Sequence, residues 1–233
     1  MTPSEAPDAP TPAGAVPAIP RALFVYLLIY GGMTVVAGVL ASKQVQLWPT
    51  DLAVEAGIFA FLILVVISST IAQLYGAATA NRLVWWGFLP LALSTALLLF
   101  VLKALPASAE MAAQRPEVLA AFELIHNQTW RIWLAGPAAY IVSLLLNVWI
   151  FSRLRGSGES GSTGSLMVRG AVASALSQAI DSVIFITLAF YGEFPITELL
   201  IGQVLAKVVL SLVLVPVLIT AGVALARRLD ARP

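Results

Sequence analysis

The sequence predicts an all-α polytopic membrane protein, a bundle of six transmembrane helices. Three observations predict it. Of 233 residues, 60% are hydrophobic and 11% charged, against about 25% charged in soluble domains, and the mean hydropathy is +0.93. The apolar residues gather into six runs, each near the roughly 20 residues needed to cross about 30 Å of hydrocarbon. Within the fifth and sixth runs, the polar residues recur at helical spacing. Soluble enzymes and basic nucleic-acid binders are excluded, and a net charge of +1 announces no electrostatic partner. With no cysteine and one histidine, His126, neither a disulfide scaffold nor a thiolate or His-based metal site has material. No cofactor or metal is expected.

Residues 1–20 carry six prolines, no basic residue and no apolar run, the composition of a disordered tail and not of a signal peptide. The membrane domain is expected over 21–228. Its spans are about 22–41, 50–74, 83–103, 131–152, 168–192 and 196–226. The second opens on Asp51 and Glu55. Between the third and fourth, the long loop 104–130 holds Pro106 and Pro116, a short interfacial helix over 117–125, and His126 as a surface residue. Asn127-Gln128-Thr129 matches the glycosylation pattern, which is common by chance. Residues 156–165, GSGESGSTGS, spell Gly-x-Gly-x-x-Gly after a membrane helix instead of a strand, so they form a flexible linker and not a nucleotide loop.

Orientation follows from Lys and Arg. With six spans, eight arginines (21, 82, 153, 155, 169, 227, 228 and 232) lie on the side of both termini, and four basic residues (Lys43, Lys103, Arg115 and Arg131) lie opposite. Both termini therefore face the cytoplasm. The thirteenth basic residue, Lys207, sits inside a span.

An acid or base at a span centre costs about 2.5–3.5 kcal/mol on insertion scales, so it needs a partner or a wet cavity. In span five, Ser174, Gln178, Asp181, Ser182 and Phe185 form one helical stripe. In span six, Gln203 and Lys207 stand one turn apart on one face. Asp181 and Lys207 each lie eleven residues from the short turn joining these spans, about 16 Å deep. They are expected to share one water-accessible cavity, Asp181 as the ligand's acceptor and Lys207 keeping it ionised. Gln178 and Gln203 would add hydrogen bonds, and Phe185 a stacking face. Ser68, Ser69, Thr70 and Gln73 in span two read equally as helix-to-helix glue or as substrate contacts. Trp85, Trp86, Trp130 and Trp133 sit at span ends and read as an interfacial belt.

Arg169 through Ser174, Ser177-Gln178, Asp181-Ser182, Phe185, Ala189-Phe190-Tyr191-Gly192, Gln203 and Lys207 together resemble the bacterial queuosine precursor transporter family, vitamin-uptake-like proteins of six inner-membrane helices. Supporting stretches are Ser42-Lys43, Val45-Gln46-Leu47, Gln73 to Gly76, Asn81-Arg82, and Arg131-Ile132 with Tyr140, Ser143, Phe151 and Arg155. The likeness covers about 22–226. It implies an inner-membrane importer, not an enzyme, that takes up 7-cyano- and 7-aminomethyl-7-deazaguanine. At three places where the family carries carboxylates, this chain has Ser69, Gln73 and Asn147, which stand as substrate-binding candidates with neutral acceptors.

A second reading is the binding subunit of an energy-coupled vitamin transporter; the chain has no ATPase motif, so coupling would come from partner subunits. A homo-oligomer is the other partner state left open. An intramembrane enzyme lacks a clustered acid, base or metal set, and a scaffold leaves the Asp181 stripe without purpose. The topology is testable by reporter fusions. A reporter after Arg155 is expected in the cytoplasm and one after Arg115 outside; both on one side would overturn the six-span count.

Overall fold

The apolar runs fold into seven helices and one small hairpin in a computed structural model that describes residues 19–155 and 163–231, apart from the side chains of 126–129 and of most positions from 144 to 174. The order is α1 (Arg21–Leu40), β1 (Gln44–Gln46), β2 (Ala53–Glu55), α2 (Gly57–Tyr75), α3 (Ala77–Ala104), α4 (Ala109–Gln114), α5 (Pro116–Arg155), α6 (Thr163–Phe190) and α7 (Thr197–Asp230). The chain is an all-α membrane protein. By length and composition, α1, α2, α3 and α7 can each cross a membrane, and α6 adds the apolar stretch Ala175–Phe190.

Many large apolar residues on the long helices face outward, and α1 shows the pattern most clearly. In α1 the buried positions are Ala22, Tyr26, Tyr30, Thr34 and Gly38, a strict four-residue spacing that makes one seam. Phe24, Leu28 and Val39 on the same helix are exposed. This inverts a soluble helix. Close packing and hydrogen bonds hold such a bundle, because lipid is as apolar as leucine.

Two buried clusters fill the interior. One joins Tyr26 and Tyr30 to Ile67, Ile71 and Leu83 near the chain termini. The other joins Trp133 and Ala139 of α5 to Phe185, Ile186 and Phe190 of α6 and Leu199 of α7, near the hairpin. The hairpin is antiparallel, pairing Gln44 with Glu55 and Gln46 with Ala53. Its second strand packs on α7, so the polar backbone between α1 and α2 is paired and not left bare.

Several boundaries correct the sequence reading. Residues 50–56 are hairpin and turn, so the second span begins at Gly57. The third helix begins at Ala77, and Gly76 alone separates it from α2. That single-residue turn needs φ +85°, which glycine adopts without steric cost. The interfacial helix 117–125, His126 and the fourth span are one continuous 40-residue helix, α5. No proline or glycine lies between Pro116 and Gly136 to break it, and at about 60 Å it is twice the hydrocarbon thickness. Of the expected linker, 163–165 open α6, while 156–162 lie outside the described residues, as do 1–18 of the expected tail.

The two chain ends are tied together. Asp230 at the end of α7 accepts the Ala22 N–H of α1 (2.8 Å) and the Tyr75 hydroxyl of α2 (2.6 Å). Pro20 before α1 has no side-chain cap to offer, so a carboxylate from another helix satisfies one of the orphan donors of its first turn. Asp230→Ala is expected to cost about 0.5 kcal/mol, near the low end of capping values because the group is solvent-screened. In detergent this lowers the unfolding midpoint by about 1–2 °C. A midpoint equal to that of Asp51→Ala, which removes an exposed acid without such contacts, would show that the tie contributes nothing.

Candidate functional site

Asp181 of α6 and Lys207 of α7 meet in the interior. Lys207 Nζ donates to Asp181 Oδ2 at 2.6 Å, with side chains 5% and 7% exposed. Ser143 Oγ of α5 lies 3.2 Å from Asp181 Oδ1 and 3.0 Å from the Tyr140 carbonyl. The ammonium also lies over aromatic faces, 4.4 Å from the Phe61 centroid and 5.9 Å from that of Phe185. Within about 6 Å, such faces attract a cation through their quadrupole. The shared site expected for Asp181 and Lys207 is therefore a direct pair.

One turn before Lys207, Gln203 is fully buried and engaged with the hairpin. Its Nε2 donates to Glu55 Oε1 (2.6 Å), and its Oε1 accepts the Glu55 backbone N–H (3.2 Å). The approach is possible because residue 202 is glycine: a Cβ there would collide with the Ala53 carbonyl. Glu55 is 3% exposed, yet its Oε2 has no hydrogen-bond partner. Trp133 Nε1 of α5 is likewise buried and unpartnered. It lies against Gly38 of α1, where a Cβ would occupy the space of the indole.

Asp181, Lys207, Phe61, Phe185, Glu55 and Trp133 line one cavity of about 100 Å³. At roughly 10–15 Å³ per water, this holds several waters. Every long helix contributes to its wall: Gly38 from α1, Phe61 from α2, Phe88 from α3, Trp133 from α5, Asp181 and Phe185 from α6, and Lys207 from α7; Glu55 joins from the hairpin. A second hollow of about 280 Å³ lies toward the α6–α7 turn and shares Ala41 and Ile132 with the first. Beside it, Arg131 bonds to Glu193 (2.8 Å) and to the Tyr191 carbonyl (2.9 Å).

Of the sequence candidates, Asp181, Lys207 and Phe185 stand together in the cavity wall. Gln203 stands behind it, holding Glu55. Gln178 is turned to Ser211 of α7 (2.6 Å), and Ser182 bonds back to the Gln178 carbonyl; neither lines the cavity. Ser69 and Gln73 lie on the second half of α2, away from it, with Gln73 exposed. The side chains of Asn147 and Ser174 lie outside those described. Trp85, Trp86 and Trp130 are exposed, whereas Trp133, expected in the same belt, is buried at 6%. Its place in the heptad-like run from Ile132 to Ala139 puts it on the inward face. Glu55 was masked in the sequence by its position at the mouth of an apolar run. The signal available for it was the alternation QVQ and AVE around a turn, which marks a hairpin.

An all-α membrane bundle with a cavity walled by all of its long helices, and a buried ion pair in that wall, has the build of a small-molecule transporter. The comparisons agree. A profile of the family described as "Putative vitamin uptake transporter" matches residues 55–221, and the chain belongs to that family. It is 29% identical over 197 residues to the "Probable queuosine precursor transporter" of Bacillus subtilis (strain 168), which spans 83% of this chain and 80% of the relative. No solved structure matches.

The pair makes a stability prediction. Lys207→Met strands Asp181 as a buried, unpaired carboxylate, a loss of roughly 3–5 kcal/mol. Adding Asp181→Leu removes the stranded charge and should recover most of that loss. Unfolding in detergent reads both. A double variant no more stable than Lys207→Met would refute the coupling.

Proposed function

We propose that this protein imports queuosine precursors, 7-cyano- or 7-aminomethyl-7-deazaguanine, or a closely related flat heterocycle, across the bacterial inner membrane. The observation that carries the reading is the Lys207–Asp181 pair set among aromatic faces in a cavity, in a chain of this transporter family. A flat ring needs apolar faces above and below and polar groups at its edge. Phe61 and Phe185 supply the first. Two carboxylates and an ammonium supply the second. The Bacillus subtilis relative is described as a probable queuosine precursor transporter.

In this reading the six long helices are six spans, and both termini are cytoplasmic. The arginine-rich end is then inside, and the hairpin end with its 280 Å³ hollow faces the substrate supply. Substrate would enter that hollow, pass Ala41 and Ile132, and reach the ion pair. No helix need unwind, because the hollow already abuts the cavity wall.

Uptake tests it. Cells that cannot make deazaguanines, given either precursor at limiting concentration, should regain queuosine-modified tRNA with this protein. They should not regain it with the Asp181→Leu, Lys207→Met double variant. Uptake no better than the empty vector would overturn the ligand, and entry of a different heterocycle would identify the replacement.

A further inference from the structure

Of the polar groups in the cavity wall, not all are free to grip a ligand's edge, and the following inference rests on the proposed function. Asp181 is largely spoken for: Lys207 holds Oδ2, and the Ser143 hydroxyl is within reach of Oδ1. Glu55 is not. Gln203 anchors its Oε1 and its backbone, and Oε2 lies buried in the cavity wall beside Gly57 without a hydrogen bond of good geometry. A buried carboxylate oxygen without a donor forfeits the full desolvation cost, a cost that a ligand N–H would offset. Trp133 presents the opposite case, a buried donor without an acceptor.

Both orphans approach the same step of α1. A Cβ on Gly57 would stand 2.5 Å from Glu55 Oε2 and 2.6 Å from the Ala37 carbonyl, while one on Gly38 would meet Trp133 Nε1. An acceptor-only group and a donor-only group thus flank Ala37-Gly38 without bonding each other. A molecule that bridges them must offer a donor and an acceptor on one edge. Phe61 and Phe185 line the same cavity and favour a planar one.

We propose that Glu55 and Trp133 are the specificity-determining pair of this site. Glu55 accepts from the adjacent ring N–H and exocyclic amine of a 2-amino lactam, and Trp133 Nε1–H donates to the neighbouring carbonyl. Oε2 and the second lone pair of Oε1 take the two donors, as a carboxylate takes any paired N–H edge. Gln203 is a positioning residue, holding the carboxylate in its rotamer. The class of ligand is therefore a fused heterocycle with a guanine-like edge. Glu55 then supplies the kind of acceptor that the positions of Ser69, Gln73 and Asn147 lack.

The test uses purified full-length protein in detergent and two probes, 7-cyano-7-deazaguanine and 7-cyano-7-deazahypoxanthine, which lacks the exocyclic amine. Wild type should bind the first about 10- to 100-fold more tightly, the worth of a hydrogen bond to a charged group. Glu55→Gln should bind both alike, at the weaker level. Trp133→Phe should weaken both by a similar factor while keeping the discrimination. Where Glu55→Gln does not fold, Glu55→Asp keeps the charge but withdraws the oxygen, and should also lose the discrimination. Discrimination retained in the folded Glu55 variants overturns the assignment of Glu55. Binding unchanged in Trp133→Phe overturns the assignment of Trp133. Failure of wild type to bind either probe refutes the substrate reading itself, which separates the two failures.

Discussion

The buried pair between Lys207 and Asp181 sets the terms for everything around it. In hydrocarbon neither charge is tolerable alone, so α6 and α7 must be locked in the register that brings Nζ within 2.6 Å of Oδ2. That register carries a second consequence. Gln203 lies one helical turn from Lys207, so fixing Lys207 also fixes the amide that holds Glu55. Gly202 removes the side chain that would keep the hairpin off α7. One face of α7 therefore places two carboxylates, on different elements, at one cavity.

Such a pair is weak evidence of stability, since two well-packed apolar residues would serve a bundle as well or better. Its presence is better explained by what the cavity contains. An ammonium over the Phe61 ring beside two acids makes a polar pocket with apolar walls. Gly38 and Gly57 let Trp133 and Glu55 pack close against α1 and α2 at the cavity wall, because a methyl at either would collide with them.

What the sequence made readable follows the strength of each physical constraint. Charges inside apolar runs are expensive, so Asp181 and Lys207 stood out, and equal counting from one short turn brought them to one depth. Apolar runs of span length marked the helices. Boundaries were less legible, because the run from Pro116 onward contains nothing that stops a helix before the bilayer begins. Gln178 and Ser182 share the stripe of Asp181, but a stripe about a third of a helix wide has two edges. Theirs faces Ser211 and their own backbone, and not the cavity. Periodicity gives a face and not a neighbour.

Glu55 and Trp133 were hidden for a shared reason. Each lies near an apparent span end, where charge and indole are ordinary. The hairpin changes that meaning: by folding inward against α7, it carries a span-end carboxylate to a position one helical turn from Lys207 along that helix. A loop acid becomes a cavity acid through backbone pairing alone, with Gln44 opposite Glu55 in the register. This route to an acceptor differs physically from placing carboxylates on the helices themselves. An acid on the hairpin is buried by its contact with α7, whereas an acid within a helix is buried by the packing of that helix. Glu55 thus reaches the cavity wall from the hairpin side, while Asp181 reaches it from a helix.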